Sequence, residues 1–570
     1  MQQRLRPVEP DAYFAILGVA KGKVKADLYL RGATVINVYT GELQEVNVAV
    51  KGKHIAYVGM SDAMVGPETK TVDLEGRFLC PGYIEPHCHP FNTYNPTTLA
   101  RFVLPRGTTA MVNDNMGLYL RVELDRFLEL IEQMGTWPIK MLWSARVDPQ
   151  TEAEDLRPFF APERMKRLLA HPLVVQAGEL TAWPQLLNGD TQIAENLLQT
   201  MQMGKRIEGH LPGASLETLS MLAAGGLTAE HEAMTAEEVI RRLRIGYWTT
   251  LRYSSLRPDL PEIVQGLAGY HGDTKRIMMT TDGSTPAFLA EGFTDELLRV
   301  AMNNGMDPIV AYQTVTINPA TYYGLDGEIG GIAPGRLADI LVLEDLREPT
   351  PIAVMAEGRW VARSGNLLES WPGVDWQTNG MGKLQVNWRV AESDFTREEN
   401  LPIIHLENPA ITRLLEDAGD RTVLHAALVN EHSIVEANLT GMADRMDGFA
   451  CSNTASIGIF TFGRDRASMA QAVNRVLEIG GGVVIVENGQ ILFEMELPLA
   501  GAMAEQELEP LILQVQTLIR LLKERGHTHY DPIFTMLFIS ATHLPEVRLT
   551  TDGVLHVKSG HVIRPPRTRN

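Results

Sequence analysis

Residues 81–89 read Pro81-Gly82-Tyr83-Ile84-Glu85-Pro86-His87-Cys88-His89. The apolar residues 78–80 lead into this stretch, which ends in two histidines two positions apart. Because alternate side chains of an extended backbone point the same way, His87 and His89 face one side together. Two imidazoles that converge from a strand end form half of a site for a first-row metal ion. A lone pair of this kind is more often two ordinary strand histidines, so the interpretation depends on residues further along the chain.

The composition is that of a globular protein, with 45% hydrophobic and 21% charged residues. The 570 residues predict more than one domain, since single cores stop growing at about 250–300 residues. The formal charge of −19 argues against nucleic acid or an anionic membrane surface as a partner. Three cysteines cannot form a disulfide framework and fit a reducing compartment. Without a signal-peptide core or an apolar run of ~18 residues, a cytoplasmic protein with no membrane span is expected.

Extended apolar segments alternate with helical patterns through the first half of the chain. The eight extended segments are Gly82–His87, Thr108–Asp114, Ile139–Arg146, Val174–Leu180, Arg206–His210, Leu227–His231, Tyr247–Tyr253 and Arg276–Asp282. Eight strands over about 250 residues, most of them followed by a helix, predict an α/β fold of the (β/α)8 TIM-barrel type. An open doubly wound sheet is the competing fold, but no Gly-x-Gly-x-x-Gly turn follows a strand to support it.

Strand patterns on both sides of the barrel predict a second unit. Residues 26–80 and 332–365 share a period of two and glycine turns, and we expect them to form one small β-sandwich domain. The other predicted parts are a lead-in at 1–25, the barrel at 81–331, a linker at 364–382 and a C-terminal α/β domain at 383–570. The histidines of the last domain are scattered, which favours a structural or oligomerisation role. A homo-oligomer, a dimer or higher, is expected.

Six side chains of the metal-ligand type stand at the ends of five predicted barrel strands. They are His87 and His89 on the first strand, Glu179 on the fourth, His210 on the fifth, His231 on the sixth and Asp282 on the eighth. Since active sites of such barrels lie at the C-terminal ends of the strands, the six should meet at one mouth. Each has an ordinary interpretation by itself: Glu179 as a polar strand end, and His210 and Asp282 as turn residues. Their joint placement favours metal ligands.

The ligand types indicate which ions would bind. Histidines with carboxylates suit two divalent first-row ions, and Mn²⁺, Fe²⁺ and Zn²⁺ all accept this ligand set, whereas all-oxygen sites suit Mg²⁺ or Ca²⁺. Glu179 is placed to bridge the two ions, because cations roughly 3.5–4 Å apart repel strongly without a shared anion. The fourth strand has no lysine that could replace it. Further candidates, for contact with a substrate, are Asp114, Arg146, Glu232, Arg252 and Tyr253.

Several stretches resemble the amidohydrolase superfamily and, within it, the adenine deaminase family. They are PGYIEPHCH, AGELTAWP, EGHLPGAS, AEHEA, TTDG and GGIAPGRLADILVLEDL. AVNRVLEIGGGVVIVENGQILFEMELPLAGAM and LPEVRLTTDGVLHV are similar to the C-terminal domain of that family, so the resemblance covers nearly the whole chain after residue 25. It implies metal-dependent hydrolysis of a small heterocycle, adenine, to hypoxanthine and ammonia. It also implies that Asp282 passes a proton from the activated water to the leaving group, with Glu179 assisting and Glu232 as an alternative proton carrier or a solvent-facing residue.

Some positions differ from the family pattern, whereas the six ligand positions keep it. Asn113-Asp114-Asn115-Met116 stand where the family has Asp-Pro-His-Glu, and Ser452-Asn453-Thr454 replace a Ser-His-Asn motif. Residues 90–93 and 283–286 also differ. Two alternatives to adenine deamination therefore stay open: hydrolysis of another small amino-heterocycle or cyclic amide, and a catalytically silent metal-binding protein. The presence of Asp282 argues against silence, because metal binding alone does not need a base.

Overall fold

The computed structural model describes residues 5–149, 154–398 and 400–569. Its central sheet has eight parallel strands, which we call barrel strands one to eight. They are Tyr83–Cys88, Thr108–Asp114, Lys140–Ala145, Val174–Leu180, Arg206–Gly209, Ala229–Glu230, Trp248–Arg252 and Ile277–Thr280. Each strand pairs with the next along the chain, and strand eight contacts strand one, so the sheet is nearly closed. The predicted (β/α)8 barrel is confirmed.

Helices connect and follow the barrel strands. Their bounds are Pro96–Val103, Leu104–Arg106, Met116–Tyr119, Leu124–Met134, Glu154–Phe160, Pro162–Leu169, Trp183–Leu187, Thr191–Gln202, Leu216–Ala224, Ala236–Arg244, Leu260–Gly266, Phe288–Glu291, Thr294–Asn303, Pro308–Thr314 and Ile317–Tyr322. Their sequences explain why they form. Leu124–Met134, for example, buries Phe127, Leu130, Ile131 and Met134 along one face, the spacing of an amphipathic helix.

The segments on either side of the barrel form one nine-stranded mixed sheet. Its strands are Leu28–Asn37, Glu42–Lys51, His54–Gly59, Lys70–Asp73, Phe78–Pro81, Ile340–Leu343, Ala353–Ala356, Arg359–Arg363 and Asn366–Leu367. The two flanks join where Ile340–Leu343 runs antiparallel to Phe78–Pro81, with Ile340 opposite Pro81. Phe78–Pro81 leads directly into barrel strand one, so this sheet fixes where the first histidine strand enters the barrel. A helix, Pro10–Ala20, precedes the sheet and contacts its third strand.

The C-terminal region has a second nine-stranded sheet and a three-stranded sheet. The strands of the first are Ile403–Leu406, Thr412–Leu415, Leu424–Val429, Ser433–Thr440, Gly448–Cys451, Ile459–Gly463, Gly482–Glu487, Gln490–Glu496 and Arg567–Thr568; those of the second are Val547–Thr550, Gly553–His556 and His561–Arg564. The main helices are Arg466–Ile479, Leu508–Lys523 and Pro532–Phe538, and short helical turns lie at Gln377–Met381, Glu392–Asp394 and Val557–Ser559. None of the helices described is both long and apolar enough to cross a bilayer.

A buried ion-pair network ties the flanking sheet to the barrel. Lys140, at the start of barrel strand three, places its Nζ 2.6 Å from Asp339, directly before Ile340–Leu343. Glu357 binds Arg6 at 2.6 Å and Lys53 at 2.9 Å, and lies 4.0 Å from Lys140. Burial alone would raise the pKa of Glu357, but Lys140, Lys53 and Arg6 lower it to about 2. This carboxylate is therefore stabilised in its charged form by the folded structure.

We expect Glu357→Gln to lower the free energy of unfolding by about 3 kcal/mol at pH 7, because the pKa of Glu357 is 4.5 when unperturbed and about 2 in the fold. A lowered pKa gives stability that is present above pH 4.5 and is lost as the pH falls towards 2. Chemical denaturation at pH 7 and pH 4 should show that the difference in unfolding free energy between variant and wild type is smaller at pH 4. The exposed Glu68→Gln is the matched control, and equal losses in both variants would contradict the role of Glu357.

Candidate active site

The six predicted ligands meet at the C-terminal mouth of the barrel. His87 lies in strand one and Glu179 in strand four, whereas His89, His210, His231 and Asp282 follow the ends of strands one, five, six and eight. Strands five, six and eight end earlier than the sequence predicted, at Gly209, Glu230 and Thr280. Four of the six ligands therefore stand on the first residues of the loops, where the chain can turn each side chain towards the barrel axis.

Two groups of atoms face each other within this cluster. In the first, Nε2 of His87 and Nε2 of His89 are 3.3 Å apart, and Oδ1 of Asp282 lies 3.2 and 3.3 Å from them. In the second, Oε2 of Glu179 lies 3.2 Å from Nδ1 of His210 and 3.2 Å from Nε2 of His231. Glu179 also lies 3.7 Å from His87 and 3.8 Å from His89. One carboxylate is thus shared by both groups.

The donor set fits divalent metal ions. His87, His89 and Glu179 place one ligand atom each within 4.8 Å of one another, and so do Glu179, His210 and His231. Neutral imidazole nitrogens and carboxylate oxygens carry lone pairs, which repel when they converge unless a cation or a proton lies between them. The described residues therefore include a cluster that can hold metal, with nitrogen and oxygen ligands of the kind first-row divalent ions accept.

Glu208, which the sequence analysis missed, orients two of these histidines. Its carboxylate lies 2.9 Å from Nδ1 of His87 and 3.2 Å from Nδ1 of His231, and it also accepts a hydrogen bond from Gln176 at 2.9 Å. A carboxylate that accepts both Nδ1 hydrogens leaves both Nε2 atoms free as metal ligands. Burial would raise the pKa of Glu208, but His87 and His231 lower it to about 2. We therefore assign Glu208 an orienting role, although its spacing would also suit a ligand.

A signal for Glu208 was present in the sequence. It lies two residues before His210 on strand five, as His87 lies two residues before His89 on strand one. On an extended strand such pairs share one face. The same spacing argument that singled out His87 and His89 therefore also places Glu208 inside the barrel.

Arg146 links two acidic residues beside the cluster. Its guanidinium forms ion pairs with Asp114 and with Glu179, and it also donates to the Glu179 carbonyl at 3.0 Å. Arg146 is fully buried. Burial would raise the pKa of Glu179, but Arg146 and His210 hold it well below its usual range. Both predicted substrate candidates on strands two and three, Asp114 and Arg146, therefore lie against the ligand cluster.

Arg252 forms a second link on the opposite side. Its Nη1 lies 2.6 Å from Glu232 and 3.0 Å from Oδ2 of Asp282. Glu232 is 2% exposed, so its solvent-facing interpretation is wrong. Burial would raise the pKa of Asp282, but Arg252 and hydrogen bonds with His87 and His89 hold it well below its usual range. Asp282 is thus ionised at neutral pH and can accept a proton.

Tyr253, the remaining candidate, lies further from these contacts. Its ring packs against Phe288 with 5.1 Å between the ring centres. Its backbone N–H donates to the carbonyl of Thr280, the last residue of strand eight. In the described structure its recorded contacts therefore lie with the neighbouring strand and loop and not with the six ligands.

Comparison with known proteins covers nearly the whole chain. Residues 78–361 match the amidohydrolase family, and residues 404–561 match the adenine deaminase C-terminal domain. The adenine deaminase of Moorella thermoacetica is 31% identical over 95% of this chain and 96% of its own. The protein named "Putative adenine deaminase YerA" of Bacillus subtilis is 36% identical over 97% of each chain. The chain belongs to the adenine deaminase family of amidohydrolases. It is a metal-dependent hydrolase that acts on C–N bonds.

Solved structures align with part of the chain. The beta-aspartyl dipeptidase of Fervidobacterium islandicum AW-1 aligns with a TM-score of 0.46 and 16% identity, covering 60% of this chain and 98% of its own. The N-acetylglucosamine-6-phosphate deacetylase of Pasteurella multocida aligns with a TM-score of 0.46 and 12% identity, covering 58% and 99% of the two chains.

We expect Glu208→Gln to weaken metal binding by about 10–100-fold, the usual effect of losing a carboxylate that orients a metal-binding histidine. The amide keeps the shape of the carboxylate but has one oxygen acceptor for two imidazole N–H groups. Competition with a metal chelator measures the affinity. Glu237→Gln, at a side chain that is 84% exposed, is the control. Unchanged affinity in Glu208→Gln would refute the orienting role.

Proposed function

We propose that the protein hydrolyses adenine to hypoxanthine and ammonia, using two divalent ions, Mn²⁺ or Fe²⁺ with Zn²⁺ as an alternative. The ions would be held by His87, His89, Glu179, His210, His231 and Asp282. The observation that carries the proposal is the Glu179 carboxylate, which is shared by the two histidine groups. The full-length similarity to proteins named adenine deaminase supports the choice of substrate.

The ions, when bound, would supply a water of lowered pKa that can attack at neutral pH. The residues of the chain provide the proton transfers. Asp282 is ionised and lies beside His87 and His89, so it is placed to accept the proton of the attacking water. Asp282 would return that proton to the amino group at C6. The C–N bond would then break, ammonia would leave, and the new carbon–oxygen bond would remain at C6. Arg252 holds Oδ2 of Asp282 and leaves Oδ1 facing the two histidines.

The charges around the mouth favour a neutral substrate. Arg146 is paired with Asp114 and Glu179, Arg252 with Glu232 and Asp282, and Arg257 with Glu232 and Asp259. A substrate that carries a carboxylate is usually held by an arginine that offers it two hydrogen bonds. Since these three arginines already have carboxylate partners, a neutral amino-heterocycle fits the site better than an anionic amide. Another neutral amino-heterocycle or a neutral cyclic amide is the second candidate.

We expect weak turnover of adenine, because Asn113, Asn115 and Met116 replace family residues on strand two, and a pocket that lacks hydrogen-bond partners discriminates poorly. Ammonia release by metal-loaded protein should be compared for adenine and a panel of neutral amino-heterocycles and cyclic amides. A kcat/KM for adenine near the diffusional ceiling of about 10⁸ M⁻¹s⁻¹ would show that the residues replaced on strand two do not limit the reaction. No turnover of any compound, with metal bound, would refute the proposed function and favour a silent protein.

We expect Asp282→Asn to lose at least ~10²-fold in turnover, the usual effect of removing a general acid–base. The amide keeps the size and one oxygen donor but cannot accept the proton, so metal content should stay near two ions per chain in both proteins. Asp273→Asn, at a side chain that is 68% exposed, is the control. Turnover close to that of the control would exclude Asp282 from the proton transfer.

A further inference from the structure

The C-terminal region covers the mouth of the barrel. Loops that follow strands one, seven and eight all bind it. The contacts are Ala504 N to Thr93 O at 2.7 Å, Tyr530 Oη to Leu256 O at 2.9 Å, and Thr285 Oγ1 to Asp531 Oδ2 at 2.9 Å. Because the ligands stand at the beginnings of loops on this same face, residues of the C-terminal region can reach the site.

The C-terminal region places His543 near the ligands. His543 follows the helix Pro532–Phe538, and its side chain interacts electrostatically with His210, Glu179 and Arg146. Its Nδ1 atom is buried and has no hydrogen-bond partner among the described residues. Most buried polar atoms in folded proteins have a hydrogen-bond partner, so a buried nitrogen without one calls for an explanation, such as a catalytic role or a bound group.

The loop that carries His543 is held by a buried arginine. Arg548 is fully buried, and burial lowers its pKa to about 9. It donates to four backbone carbonyls: Phe538 at 3.0 Å, Leu544 at 3.2 Å, Pro545 and Ala410. Two of these carbonyls directly follow His543 and one precedes it. Arg548 therefore fixes the backbone on both sides of His543.

His543 is neutral at physiological pH. Burial, and then the neighbouring charge of His210, lower its pKa to about 3. A neutral imidazole offers one N–H donor and one nitrogen acceptor. The edge of an amino-heterocycle offers a ring nitrogen and an amino group, and Nδ1 can bind either one: the ring nitrogen when Nδ1 carries the proton, the amino group when it does not.

We propose that His543 enters the active site from the C-terminal region and hydrogen-bonds the heterocyclic substrate through Nδ1, as a specificity-determining residue. The proposal rests on the hydrolase function proposed above. It gives the C-terminal region a part in recognising the substrate, beyond the structural or oligomerisation role that the sequence predicted. It also supplies a polar contact in a pocket whose strand-two residues differ from the family pattern.

The test compares His543→Ala and His543→Asn with wild type and with the control His432→Ala, whose side chain is 86% exposed. The readouts are KM and kcat for ammonia release from the best panel compound, metal content and melting temperature. We expect His543→Ala to raise KM about 10-fold, the upper range for one lost neutral hydrogen bond, with a smaller effect on kcat. His543→Asn should recover part of the loss, because its amide reaches the position of Nδ1.

Three outcomes would overturn the proposal. They are an unchanged KM in His543→Ala, an equal rise in His432→Ala, and a loss of bound metal in His543→Ala, which would make His543 a ligand or a support of the metal site. If wild type turns over no compound, the proposed function fails separately. Calorimetric binding of adenine and hypoxanthine to metal-loaded protein then decides: weaker binding by His543→Ala supports the contact, and equal or absent binding overturns it.

Discussion

The buried carboxylate of Glu179 sets the arrangement of the mouth. A carboxylate that is 2% exposed loses the stabilisation of water, so it must be surrounded by positive or hydrogen-donating groups. Arg146 supplies one partner from strand three, and His210 and His231 supply others from the ends of strands five and six. Four consecutive regions of the barrel therefore depend on one charge. Replacing it would remove a shared carboxylate partner from Arg146, His210 and His231 at once.

The charge of Glu179 also explains why further acidic residues lie around the ligands. Arg146 carries a second partner, Asp114, so the arginine stays compensated when divalent ions draw on Glu179. Arg252 is compensated in the same way by Glu232 and Asp282. Each arginine thus brings its own carboxylates. Among the described residues, both arginines beside the ligands are thus neutralised by carboxylates, and this favours a neutral substrate.

The sequence predicts most of this site because, in a barrel, the type of a residue and its position at a strand end are enough to place it at the mouth. Once eight strands are placed, ligand-type residues at their ends must lie at one face. Glu208 could be found by the same reasoning, since it shares the face of His210. His543 could not, because no local pattern marks it: its position follows from long-range packing of the C-terminal region on the barrel loops. The pairing of Phe78–Pro81 with Ile340–Leu343 follows from the sequence only in outline, because both flanks share a period of two and glycine turns.

Covering the mouth with a protein domain limits which residues can stand above the ions. A cationic side chain there would be repelled by bound metal ions, and an anionic one would compete with the substrate for them. A neutral imidazole avoids both effects while still offering a donor and an acceptor. Burial keeps His543 neutral. Arg548 holds the backbone of this loop by donating to its carbonyls, so the positive charge of Arg548 faces the loop and not the site. The surroundings of His543 are thus compatible with recognition of an uncharged ring.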